Sequence, residues 1–150
     1  MQRTLVLLKP DTLQRGLAGQ VISRLERRGL KIVATRMVKV DQNLAHRLYE
    51  IHIGKPFFSG LVKFITSSPI IALVLEGNEV VNVVRHTIGD TDPANASPGS
   101  IRGDFGLDIG RNIIHGSDSI ESAKREIELF FEAAEVISYQ RAVDPWITES

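Results

Sequence analysis

"PIIALVLEGN", residues 69–78, opens on a proline, runs apolar without interruption to Leu75, and ends in Glu76-Gly77-Asn78. The apolar run is too short to cross a membrane and lacks the polar interruptions of an amphipathic helix, so it reads as a strand buried on both faces. "TLVLLKPD", residues 4–11, repeats the pattern: Leu5-Val6-Leu7-Leu8 is a second buried strand, closed by Lys9-Pro10-Asp11 because proline cannot donate to a ladder. Between them, Leu17 to Arg28 places Ala18, Val21, Ile22 and Leu25 at helical spacing, and Gly29 supplies a stop. A β-branched strand follows from Leu30 to Val40, with a slip near Arg36-Met37 that reads as a bulge or an edge. Two helical stretches, Leu44 to Ile51 and Phe58 to Ile65, are divided by Gly54-Lys55-Pro56. After Leu75 a helix carries Val80, Val81, Val83 and Val84. Buried strands alternating with helices imply an α/β sandwich.

A chain of 150 residues with 43% hydrophobic residues has room for one sizeable core, so residues 1–150 are expected to form one domain. Lysine plus arginine and aspartate plus glutamate each number 18, so any affinity for phosphate must come from local clusters. Zero cysteines exclude disulfides, thiolate zinc sites and thiol nucleophiles, and fit a cytoplasmic setting. The apolar run before Lys9 is too short for a signal segment or a span, so a soluble protein without a membrane partner is expected. An RNA-binding sandwich would need exposed aromatics on its sheet and a basic face; 6% aromatic residues and zero net charge argue against a nucleic-acid partner.

The segment from Gly89 to Arg111 is rich in Gly, Asp, Pro, Asn and Ser and reads as a long functional loop carrying Arg102. Ile113-Ile114 is a brief strand leading to His115, and a helix is expected from Ser119 to Ala134. Asp118-Ser119-Ile120-Glu121 has the form of a capping box, which sets His115 just before a helix N-terminus, where anions are favoured. On a helical wheel Ile120, Ala123, Ile127, Phe130 and Ala134 form the buried stripe. Glu126 lies on its flank, leaning back toward His115, where a carboxylate would fix the imidazole tautomer and leave the other nitrogen free. His115 can be read from this as a packed residue or as a nucleophile. A metal-ligand reading lacks support, because His46, His52, His86 and His115 include no i,i+4 pair and have no cysteine partner. Lys9 at a strand end, Arg85 at the end of the valine helix and Arg102 in the loop are candidate phosphate ligands. No P-loop stretch is present.

"TLVLLKPD", "GKPFFSGL" (54–61), "GDTDPANA" (89–96), "SPGSIRGDFG" (97–106) and "NIIHGSDS" (112–119) stand in an order and spacing that resembles the nucleoside diphosphate kinases along nearly the whole chain. The resemblance implies a ferredoxin-like α/β (α+β) sandwich, a four-stranded antiparallel sheet with helices packed on it and an added helical hairpin. It also implies ping-pong transfer of a γ-phosphate from a nucleoside triphosphate such as ATP to a nucleoside diphosphate, maintaining NTP and dNTP pools. By the same resemblance His115 is the nucleophile, phosphorylated at its pros nitrogen, and Glu126 with Ser117 orients it. Lys9, Tyr49, Arg85, Thr91, Arg102 and Asn112 match phosphate and sugar ligands, Phe57 the aromatic under the base, and Leu61 and Ile109 apolar positions around it. Mg2+ is implied on the substrate phosphates, with Asp118 a partner through water. The long loop and the tail from Val136 to Ser150, with Trp146, imply a homo-oligomer, hexameric by preference and tetrameric as the alternative. Departures are few: Ser100 replaces the usual Thr, and Thr12-Leu13 stands where Gly-Val is common.

Overall fold

The computed structural model describes residues 1–149. Both apolar runs are strands: β1 (Gln2–Leu8) and β3 (Ile70–Gly77), which pair antiparallel from Gln2 opposite Gly77 to Leu8 opposite Ile71. β2 (Lys31–Val38) joins β3 and β4 (Ile114–Gly116) joins β1, both antiparallel, giving the order β2-β3-β1-β4.

The uninterrupted hydrophobicity of the central strands follows from cover on both faces. Leu5 and Leu7 of β1, with Ala72 and Val74 of β3, pack against α3 (Gln42–Leu48), α4 (Phe58–Ile65) and Phe130 of α7 (Ile120–Phe130). Val6 and Leu8, with Leu73 and Leu75, pack instead against α2 (Ala18–Arg27) and α5 (Val80–Ile88). Side chains alternate across a strand, so each face of these runs fills a separate core. α3 and α4 form the added helical pair inserted between β2 and β3.

Several local expectations are corrected. The slip near Arg36-Met37 marks an edge, since β2 is an outer strand, while the bulge itself lies at Val33, between Ile32 and Ala34; the carbonyl freed there accepts from Ile137 N at 2.8 Å. Pro10 does more than end a strand: it occupies the first turn of α1 (Pro10–Gln14), where its missing N–H costs nothing. The long loop holds a 3-10 turn (Pro93–Asn95) and α6 (Ile101–Phe105), capped by Ser100 accepting from Gly103 N. α7 is capped by Ser119, which accepts from Ser122 N at 3.0 Å, and not by Asp118. It ends at Phe130, so Ala134 falls in a separate 3-10 turn and Ile120 is exposed. The tail turns back along β2: Tyr139 Oη donates to Ile32 O at 2.6 Å, and Lys31 Nζ to Tyr139 O at 2.6 Å. Ser150 lies outside the described residues.

Candidate active site

His115 sits in the middle of β4 opposite Leu7. Directly opposed residues share a face, so its ring lies on the α7 side of the sheet. Its Nε2 is 2.7 Å from Oε1 of the buried Glu126, which also accepts from Ser117 Oγ at 2.9 Å. A carboxylate only accepts, so Nε2 carries the hydrogen and Nδ1 is left with its lone pair. The lean of Glu126 toward His115 anticipated from the helical wheel is therefore observed.

Gly116, next in the strand, faces the opposite core. A Cβ there would lie 2.8 Å from Ile88 Cδ1 and 3.3 Å from Val84 Cγ1, so glycine lets α5 approach. α5 in turn brings Arg85 to 3.5 Å from Gly116 O.

The cations gather around β4 and the segment leading into it. Lys9 Nζ donates to Asn112 Oδ1 at 2.7 Å, and Asn112 Nδ2 donates to Thr91 O at 3.0 Å. Arg102 donates from Nε to Asn112 O at 3.0 Å, from Nη1 to Gly89 O at 3.2 Å and from Nη2 to Ile114 O at 2.6 Å. Of its five N–H groups, two remain for an anion. Burial and then Arg102 lower the Lys9 ammonium to about 8, with Asp11 opposing them. Burial and then Arg85 bring Arg102 down to about 10, against Asp90. Arg102 thus repels Lys9 on one hand and Arg85 on the other, with only partial compensation from Asp11 and Asp90, and such a cluster favours an anion.

Tyr49, at the C-terminal end of α3, is pushed up to about 12 by burial and by the Glu126 charge, which places its phenol in the field of the carboxylate that holds His115. Its ring centroid is 6.4 Å from that of His52, and His52 is 5.2 Å from Phe57. Phe57 is 51% exposed, an open aromatic face rather than a core residue, while Phe58 packs against the core. Leu61 is half-buried in α4, and Ile109 is exposed on the loop after α6. Asp118 is exposed beside the start of α7.

The sequence reading missed the support beneath His115. Ile113 has φ of 75°, a left-handed conformation that is a genuine outlier for a β-branched residue. Ile114 N donates back to Asn112 O at 2.8 Å, so residues 112–114 form a γ-turn of the rare, strained hand. The turn is held from outside: Ile113 N donates to Asp11 Oδ2 at 2.9 Å, while Ile113 O accepts from Lys9 N at 2.9 Å and from Thr12 Oγ1. The one local signal is a proline followed by Asp11, which marks a helix start; its partner lies 102 residues away.

A ferredoxin-like sandwich that sets a free imidazole nitrogen beside under-neutralised cations has the parts of a phosphoryl-transfer centre. The comparisons agree. The family model Nucleoside diphosphate kinase matches residues 2–136. The nucleoside diphosphate kinase of Desulforamulus reducens is 55% identical over 99% of this chain and 100% of its own, and that of a Staphylococcus aureus strain is 56% identical with the same coverage. The halophilic nucleoside diphosphate kinase of Halobacterium salinarum, solved in complex with CDP, superposes with a TM-score of 0.96 at 47% identity over 98% of each chain. The chain belongs to the nucleoside diphosphate kinase family, enzymes that carry the terminal phosphate of a nucleoside triphosphate to a nucleoside diphosphate.

Proposed function

We propose that His115 is the phosphate carrier of this enzyme, and that residues 1–150 act as one catalytic domain. The observation that carries the assignment is the His115 Nε2 to Glu126 bond of 2.7 Å, which leaves Nδ1 free on the ring of a half-buried histidine. The Nδ1 lone pair attacks the γ-phosphorus, the bond from phosphorus to the bridging oxygen breaks, and its electron pair leaves with the nucleoside diphosphate. An acceptor diphosphate then takes the same site, and its terminal oxygen attacks the phosphohistidine in the reverse sense. Glu126 stabilises the charge on the imidazole as the bond forms, and Ser117 holds Glu126 in place. Lys9, Arg85 and Arg102 offset the phosphate charge, which is worth more as that charge shifts toward the leaving oxygen.

Asn112, Thr91 and Tyr49 line the approach for sugar and phosphate. Phe57, with Leu61 and Ile109, offers the base an apolar stacking surface without a set of base-edge hydrogen bonds, which favours tolerance of many bases. ATP and other nucleoside di- and triphosphates are the substrates. Among the described residues no three carboxylate, imidazole or thiol groups come together to hold a metal, which fits Mg2+ arriving on the substrate phosphates with Asp118 reached through water. When bound, the ion neutralises phosphate oxygens. No helix among the described residues is long and apolar enough to cross a membrane, and a cytoplasmic home without a nucleic-acid partner is the reading favoured.

The test mixes the protein with ATP and Mg2+ without acceptor and reads the intact mass. One acid-labile phosphoryl adduct, lost to GDP with appearance of GTP and absent from His115→Ala, is expected; Glu126→Ala should slow its formation without abolishing it. An adduct of wild-type yield on His115→Ala would move the carrier role to another side chain.

A further inference from the structure

We infer that Thr12 is a positioning residue for the nucleophile in this chain. The inference rests on His115 being the phosphate carrier. Thr12 is fully buried in the first turn of α1, and its hydroxyl donates to the carbonyl of Ile113. That carbonyl is one end of the strained residue two positions before His115, and its φ of 75° persists only if the surroundings over-determine it.

The division of labour around Ile113 explains why a hydroxyl matters here. The N–H is held by one acceptor, Asp11 Oδ2, whose other oxygen is buried without a hydrogen-bond partner. The C=O is held by the backbone N of Lys9 and by Thr12, while Arg102 grips the carbonyls on either side, at Asn112 and Ile114. Without the Thr12 hydroxyl, Ile113 O keeps the Lys9 N bond at 2.9 Å, so no buried carbonyl is orphaned. What weakens is the restraint on peptide orientation. Rotation of the 113–114 peptide would swing β4 and shift His115 Nδ1 away from the phosphorus. A nucleophile displaced by a fraction of an ångström loses rate without losing substrate affinity. Thr12 stands where the resemblance makes Gly common, so this second hold on Ile113 O comes from a side chain that glycine would not supply.

Thr12→Val keeps the shape and removes the donor; Thr12→Ser keeps the donor and removes the methyl. For each, the single-turnover rate of phosphoprotein formation from ATP is measured with the steady-state KM and the thermal midpoint. Thr12→Val is expected to lose on the order of tenfold in the phosphorylation rate with KM unchanged within about twofold, and Thr12→Ser to recover most of that rate. A wild-type rate in Thr12→Val, with or without a lowered midpoint, would overturn the inference, as would a rate loss that Thr12→Ser does not repair. Failure of the carrier assignment is separately visible, because wild-type protein would then form no phosphoprotein on His115.

Discussion

Lys9 shows at residue scale how binding and stability conflict. Its ammonium, proposed above to offset phosphate charge, lies beside Arg102 in buried surroundings that lower it from 10.5 to about 8. At neutral pH that shift corresponds to a destabilisation on the order of 3 kcal/mol. Because the unfolded chain holds the proton up to about pH 10 while the folded chain releases it near 8, the folded state gains stability as pH rises between the two. Tyr49, raised to about 12, acts in the opposite sense but only above the ordinary tyrosine value near 10. Denaturant unfolding of wild type and Lys9→Met at pH 7 and pH 9.5 should therefore show wild type gaining on the variant as pH rises. Over the same range the wild-type KM for nucleotide should increase as the ammonium is lost. A stability difference that is flat with pH would mean that Lys9 is solvated in the folded protein. Lys9 itself was legible as a cation at a strand end, but its depressed pKa was not. Arg102, its largest electrostatic neighbour, comes from a helix far along the chain.

At element scale the least legible parts are the shortest. α1 and α6 are five residues each, too short to display an amphipathic period, so both were invisible to hydrophobic spacing. By contrast α7 has room for its stripe, and the wheel located Glu126 even though the cap was misplaced by one residue. α6 matters out of proportion to its length because it carries Arg102, which fastens three backbone carbonyls around β4. Its packing allows no side chain at Gly103: a Cβ there would lie 2.0 Å from Ser97 O, a backbone atom with no flexible end to yield. Gly103→Ala should thus push α6 off the preceding turn, destabilise the fold by about 1–3 kcal/mol and lower the phosphorylation rate by more than the stability loss alone explains. Denaturant unfolding and single-turnover phosphorylation at a temperature where the variant is fully folded separate the two effects. A fully folded variant with wild-type rate would show that the position of α6 is not coupled to the site.

For the whole molecule, the two central strands and their alternating helices were readable because burial on both faces makes a strand apolar throughout. The two helical stretches after β2 were readable in their apolar spacing, whereas the antiparallel four-stranded sheet entered with the family resemblance and its strand order only with the fold, since nothing in one strand's composition names its neighbour. The γ-turn under His115 stayed hidden for a related reason: isoleucine is among the residues least expected there, and only the packed fold holds it. The question of assembly turns on surface rather than core. Leu107 is 86% exposed, Met37 on the edge strand 66% and Trp146 90%, a large apolar load for a lone protomer. We propose that a second copy of the chain covers part of it, and that the tail, already bound along its own β2, carries Trp146 into that contact. Trp146 is the only tryptophan, so intrinsic fluorescence reports on this one position. Light scattering coupled to size exclusion should give a multiple of the 16.6 kDa chain, sixfold for the preferred hexamer and fourfold for the tetramer. In that assembled fraction acrylamide should quench Trp146 poorly, and on dilution into mild denaturant quenching should rise as the mass falls, before the fold is lost. Full quenching in an intact assembly would place the interface elsewhere, leaving Leu107 and Met37 as the surfaces to substitute. A monomer at all concentrations would remove the proposed assembly without touching the site, because His115, Glu126, Lys9 and Arg102 all come from one chain.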